Sequence, residues 1–198
     1  MNQKQIPLEI SARHIHLSEN DLESLFGAGY QLKIHKQLSQ PGMFAAKEKV
    51  DIFYRPAQGE QQKIQGVRIV GPVREYTQFE LSLSDAWSIK AKPPIKISGD
   101  LEGSLDFAIL GPKGRVEKTQ GMIIAKRHLH LNPKQAEAFG VQNGQQIKII
   151  GGRGQVRELT FDQVEVRISE NYELSCHIDT DEGNACGLIS CGYGQFVT

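Results

Sequence analysis

Apolar and polar residues alternate along most of this chain. The segments "IPLEIS", "EKVDIFY", "KIQGVRIV", "QFELSLS", "LDFAIL", "GMIIAK", "QQIKIIG", "VEVRIS" and "YELSCHID" all show it. A period of two puts every second side chain on one face, as in a half-buried strand. Turn-forming runs such as "PAQG", "GPKG" and "GGRG" separate the segments. Many short strands joined by glycine turns predict a mainly β, antiparallel, barrel-like protein. Only two helix starts stand out. Ser18 can cap the first, with Asp21 three positions on, where an acid suits the positive end of the helix dipole. Asn132 can cap the second, Pro133 suits its first position, and Gly140 can close it. In the polar run "HIDTDEGNACG", which leaves a strand, the acidic residues either orient a metal-bound imidazole or merely solvate a loop. "GGRG" reads as a hairpin turn, since a phosphate-cradling loop needs a strand-to-helix context.

Both helix starts directly follow an HxH. "SARHIHLS" holds His14 and His16, and "AKRHLHLN" holds His128 and His130. The order strand, HxH, capped short helix, "FG" therefore occurs twice. The repeat extends further: Glu80 lies thirteen residues after Val67, and His177 lies thirteen after Val164. Two such copies indicate an internal duplication rather than a solenoid.

Length and composition narrow the setting. A chain of 198 residues can make one or two small domains with a real core. The 23 basic and 23 acidic residues give no electrostatic case for nucleic acid or an anionic membrane as partner. No apolar run approaches the roughly 20 residues that span a bilayer. The start "MNQKQIPLEI" lacks the apolar stretch of a secretory signal. The three cysteines, Cys176, Cys186 and Cys191, form no CxxC pair and read as free thiols in a reducing cytoplasm.

The histidine spacing carries the chemistry. Alternate residues of a strand share a face, about 7 Å apart along it, so both imidazoles of an HxH can converge on one ion. Zinc accepts histidine nitrogens and carboxylate oxygens at about 2.0–2.2 Å. A third ligand must come from another strand: Glu80 for His14 and His16, His177 for His128 and His130. Three protein ligands leave positions open for substrate or water, the catalytic pattern. A lone HxH is an ordinary surface pair more often than a metal site, but two copies with third ligands at matching positions favour metal. His35 has no counterpart and reads as a surface histidine or one that supports a ligand from behind. Arg13 and Arg127 suit plain strand charges. Arg74 follows "GP" in a turn, six residues before Glu80. It is either a phosphate-binding fork or a solvated turn residue.

Together, "SARHIHLS", "LSQPGMFAAKE", "GPVREYTQFELS", "SGDLEGS", "ILGPKG", "AKRHLHLNP" and "HIDTDEGNA" resemble, in this order, the motifs of the PduL-type phosphotransacylases, or phosphate propanoyltransferases. The resemblance runs from about Ile6 to about Leu188. It implies two antiparallel β-barrels capped by short helices, residues 1–12 with 126–198 making one and 13–125 the other, and an active site between them. It implies two zinc ions per chain. His14, His16 and Glu80 would hold one, with the CoA sulfur able to join it. His128, His130 and His177 would hold the second, and Glu80 is able to reach both. Arg74 matches the phosphate-binding arginine. Ser11, Lys36, Arg68 and Asn184 match CoA-contacting positions, and Gln40 and Gly42 a phosphate loop.

The implied reaction converts acyl-CoA, acetyl or propanoyl, plus phosphate into acyl phosphate plus CoA by direct transfer in a homodimer. One departure matters. Members housed in bacterial microcompartments carry an N-terminal encapsulation helix, whereas the first strand here starts at Ile6. That favours a free cytoplasmic enzyme making acetyl phosphate, or an enzyme sorted to a compartment by another route. The C-terminal "ISCGYGQFVT" extends beyond the family's motifs. Two other classes stay open on the residues alone, a dinuclear zinc hydrolase and a non-catalytic CoA- or metal-binding module. The hydrolase lacks an HxHxD run here, and a cupin-like metal barrel would not follow each HxH with a capped helix.

Overall fold

A computed structural model describes residues 5–197; residues 1–4 and 198, the extremes of the first expected barrel, lie outside them. The elements run β1 (Gln5–Ser11), β2 (His14–His16), α1 (Glu19–Phe26), β3 (Ile34–Gln37), β4 (Phe44–Tyr54), β5 (Gln62–Gly71) and β6 (Gln78–Leu81). There follow α2 (Leu83–Ser88), β7 (Ile95–Lys96), β8 (Leu105–Leu110), β9 (Arg115–Ala125), β10 (His128–Leu131) and α3 (Pro133–Phe139). The chain ends with β11 (Gln146–Gly151), β12 (Leu159–Ile168), β13 (Ser175–Asp179), α4 (Thr180–Ala185) and β14 (Cys191–Val197).

The chain divides into two compact units. The first takes the chain up to Ala12, Ser39–Pro41 and everything from Lys126; the second takes Arg13–Leu38 and Gly42–Ala125. The first unit is a closed barrel in the order β1-β13-β10-β12-β11-β14. In the second, β4, β5, β2, β6, β9 and β8 close a ring back onto β4, and β3 and β7 pair outside it. The described residues are thus mainly β, with two six-stranded barrels and four short helices.

The pairing is mixed rather than antiparallel throughout. In the first unit β1 runs parallel to β13 and β10 parallel to β12; in the second β2 runs parallel to β5 and β6 parallel to β9. A parallel neighbour requires a crossover instead of a tight turn. The helix after each HxH begins that crossover: β10 leaves through α3 and β11 before the chain returns as β12.

The duplication is exact in register at the histidine strands. His14 lies opposite Glu80 on an antiparallel neighbour and opposite Arg68 on a parallel one; His128 lies opposite His177 and Glu165 in the same two relations. The next strand over then places Ile123 beside Glu80 and Glu9 beside His177, both in parallel pairs. Between the histidines, Ile15 and Leu129 point inward and are fully buried. Each unit has its own core. In the first it gathers Ile6, Leu8, Leu129, Leu131, Val164, Val166 and Ile178; in the second Ile15, Leu17, Leu25, Ile52, Ile69 and Phe79. Every such aliphatic side chain contributes about 1.5–3 kcal/mol on burial, which sets the face that each histidine pair must leave.

Both predicted helices form as their caps require. Ser18 Oγ accepts from the Asp21 amide. Asn132 and Gln135 make a reciprocal capping box, and Gly140 closes α3 in the left-handed region at φ 67°. Two more helices escape the apolar periodicity. Ser82 caps α2, and Asp179 with Glu182 boxes α4, turning "HIDTDEGNACG" from a loop into a strand end and a helix. Helices of six residues are too short to show a face. Gly183 further masks α4, being a poor helix former. Its lack of a side chain is what lets α4 lie on β1, since a Cβ there would meet Ile10 Cδ1 at 2.4 Å. The unexplained C-terminal stretch has a plain role: β14 pairs with β1 on one side and β11 on the other and closes the first barrel.

Among the described residues no helix is long and apolar enough to cross a membrane. Cys176 and Cys186 are fully buried and Cys191 is exposed. Burial pushes both buried thiols up. A thiol reagent is therefore expected to label one cysteine quickly in the native protein and all three after denaturation; three fast thiols at the outset would contradict this packing.

Candidate metal centres

Two groups of three ligand-type side chains converge, one in each unit. In the second unit they are His14, His16 and Glu80, and in the first His128, His130 and His177; within each group the ligand atoms all lie within 4.8 Å of one another. Strand pleating alone would leave the HxH side chains about 7 Å apart. Instead His14 Nε2 and His16 Nε2 approach to 3.1 Å. Glu80 Oε2 lies 3.8 Å from His14 Nε2, and its Oε1 3.9 Å from His16 Nε2.

The tautomers can be read from partners that only accept. His16 Nδ1 donates to the Val70 carbonyl at 3.0 Å, so its Nε2 carries the lone pair that faces His14 and Glu80. His128 Nδ1 likewise donates to the Lys126 carbonyl at 2.8 Å, leaving the lone pair on its Nε2. Burial first, then the charges of His14 and Arg74, hold His16 well below the ordinary histidine range, so it stays a neutral ligand. Ligands on a tetrahedral zinc with bonds of about 2.0–2.1 Å sit about 3.3 Å apart, and the spacings of the first group bracket that value. Imidazole nitrogens and a carboxylate gathered this closely suit a divalent cation, and zinc by ligand type.

Side chains around each group hold it in place. Ser98 Oγ donates to Glu80 Oε1 at 2.5 Å, and Arg74 Nη1 donates to the same hydroxyl at 3.2 Å. Arg74 is further set by its amide, which bonds the Leu17 carbonyl at 2.9 Å, and by Tyr76, whose ring centroid lies 5.9 Å from the guanidinium carbon. Thr77 Oγ1 accepts from the Ser18 amide at 2.9 Å and bonds the Asp21 carboxylate, which Lys118 also grips at 2.9 Å. Burial would raise the Asp21 carboxyl, but these partners together lower it below the usual range. The turn after the HxH is thereby tied to the strand carrying Glu80. In the other group, Tyr172 stacks on His130 with ring centroids 4.2 Å apart.

The remaining sequence candidates fall in several places. Arg68 pairs in register with His14, but its Nη1 donates to the Ala46 carbonyl at 2.6 Å. Lys36 is exposed on β3, in the same unit. Ser11 pairs with Asp179, and Asn184 is exposed on α4, both in the other unit. Gln40 is buried, and its carboxamide is engaged by the protein itself: Oε1 accepts the Glu173 amide, while Nε2 donates to the Glu173 carbonyl and Ser175 Oγ. Gly42 has φ 76° and open space around it. Sequence reasoning missed Ser98, Thr77, Ser175 and Glu9. Ser98 and Thr77 left a signal, since they lie in the "SGDLEGS" and "GPVREYTQFELS" motifs; Ser175 and Glu9 lie in none of the family motifs.

The description of the family phosphate propanoyltransferase fits residues 7–189 of this chain. The chain belongs to that family. Relatives named phosphate propanoyltransferase agree. One from Thermotoga maritima is 48% identical over 90% of this chain and 82% of its own length. Another from Priestia megaterium is 47% identical over 94% and 82%, and one from Clostridioides difficile 46% over 92% and 84%. Both ligand groups, Arg74 and Ser98 lie within the matched family span.

Proposed function

We propose that this chain is a phosphotransacylase that interconverts acyl-CoA and phosphate with acyl phosphate and free CoA, the acyl group being acetyl or propanoyl. Membership of a family described as phosphate propanoyltransferase supports the reaction class. The observation that carries the reading is Arg74, one hydroxyl away from Glu80 through Ser98. A guanidinium offers phosphate two parallel N–H groups, and here that fork stands beside a ligand group. Zinc held by His14, His16 and Glu80, and by His128, His130 and His177, would supply Lewis acidity and an affinity for thiolate sulfur.

The chain's own residues set up a direct transfer. Arg74 binds and orients phosphate, and Ser98 keeps both Arg74 and the Glu80 carboxylate in line. A phosphate oxygen attacks the thioester carbonyl carbon, the carbon–sulfur bond breaks, and CoA leaves as the thiolate. The reverse reaction uses that thiolate as nucleophile. Holding both reactants replaces an unfavourable bimolecular encounter. No protein acyl carrier is needed. Cys176, next to His177, points to the opposite face into the core, and burial keeps its thiol protonated. The family resemblance extends the reading to a homodimer.

The test is thiol release from acetyl-CoA and propanoyl-CoA by purified protein with and without phosphate, with acyl phosphate trapped as hydroxamate. Phosphate-dependent release matched by equal acyl phosphate is expected. Steady release without phosphate would make the chain a hydrolase instead, and CoA binding without release a binding module; either outcome overturns the reading.

A further inference from the structure

The two ligand groups differ by one charge. His14, His16 and Glu80 include a carboxylate, whereas His128, His130 and His177 are all neutral donors. Around a divalent cation the first set leaves a net charge of +1 and the second +2. The strand register shows where the balance is restored. In the second unit the row across the sheet reads His14, Glu80, Ile123; in the first it reads His128, His177, Glu9. The carboxylate absent from the middle position reappears one strand over. Being in register with His177, Glu9 shares its face of the sheet.

Contacts within the first unit aim Glu9 at the site. Glu9 Oε2 lies 3.6 Å from His177 Nε2, close to the 3.8 and 3.9 Å that separate Glu80 from its two histidines. Ser39 Oγ donates to that same oxygen at 2.7 Å. On its other side His177 Nε2 meets Ser175 Oγ at 3.1 Å, and that hydroxyl accepts from Gln40 Nε2 at 2.7 Å. Neighbouring residues, Ser39 and Gln40, thus fix both groups that flank one nitrogen. Gln40 has no freedom to do otherwise, since the Glu173 amide and carbonyl orient its carboxamide.

We infer that Glu9 is a positioning residue for the His128, His130 and His177 metal site, supplying the charge that the three histidines lack and raising that site's hold on a divalent ion. The inference rests on the reading of that group as a zinc site. It gives Ser39 and Gln40 a supporting role there, through Glu9 and Ser175.

The test is Glu9→Gln in the full-length, zinc-loaded protein, a change that keeps the shape and an oxygen acceptor for Ser39. Zinc retained per chain is measured by elemental analysis across a graded series of chelator concentrations, alongside His177→Ala to mark which loss belongs to this site. Wild type is expected to hold two ions. Glu9→Gln is expected to release the ion marked by His177→Ala at roughly tenfold lower chelator or less, in line with changes around metal-bound histidines, while the other ion is retained as before. Ser39→Ala should shift zinc release in the same direction. Identical retention curves for wild type and Glu9→Gln would overturn the role of Glu9 and leave the proposed reaction standing. A wild-type protein that holds no zinc at neutral pH would sink both.

Discussion

Protein stripped of metal by chelation is expected to form no acetyl phosphate, and added zinc to restore it. Lewis-acid assistance at a developing charge is worth several kcal/mol, so the loss should be at least about a thousandfold in rate. The single substitutions His14→Ala and His128→Ala should each approach that loss, because each removes one of three ligands from a different group. Each should also lower bound zinc by about one ion while leaving the cores intact, since Ile15 and Leu129, not the histidines, face inward. Zinc content and acyl phosphate formation, measured on the same samples, check this. Full activity in protein verified to be metal-free would remove metal from the reaction.

Arg74→Ala should raise the phosphate requirement far more than the acyl-CoA requirement. Hydrogen bonds to charged groups are worth about 1.5–3 kcal/mol each. Losing a two-pronged contact should therefore cost about a hundredfold or more in kcat/KM for phosphate. Lysine should recover only part, because it restores the charge without the planar fork. The Leu17 carbonyl bonds the Arg74 amide, so the backbone of this turn does not depend on the guanidinium and the variant should fold normally. Initial rates with phosphate and acetyl-CoA varied in turn give the two dependences. An unchanged phosphate dependence would remove Arg74 from its role.

Much of this arrangement could be read from residue order because it depends on local rules. Period-two alternation marks strands, and the doubled HxH, with Glu80 and His177 at equal offsets, marks the third side chain of each converging group. Those offsets work because the two copies keep the same strand register. The parallel pairs were not legible, since alternation says which face is buried and not which neighbour lies beside it. Helices α2 and α4 are shorter than two turns, and only their caps announce them. Glu9 and Ser98 act across strands on residues far away in sequence, and spacing along the chain carries no trace of such partners. Gln40 shows another limit: the family resemblance matched it to a phosphate loop, and residue order gave no sign that its side-chain amide bonds Glu173 and Ser175.

The pairing of β1 with β14 has a consequence for how the chain is made. The first barrel needs both its earliest and its latest strand, so it stays open until β14 has left the ribosome. The second unit is complete once Ala125 has emerged. During synthesis the middle of the chain is thus positioned to fold first, while the apolar stretch around Ile6 and Leu8 waits for its partner. That waiting strand is the segment of the newborn protein most exposed to wrong partners, and the one a chaperone would have most reason to cover.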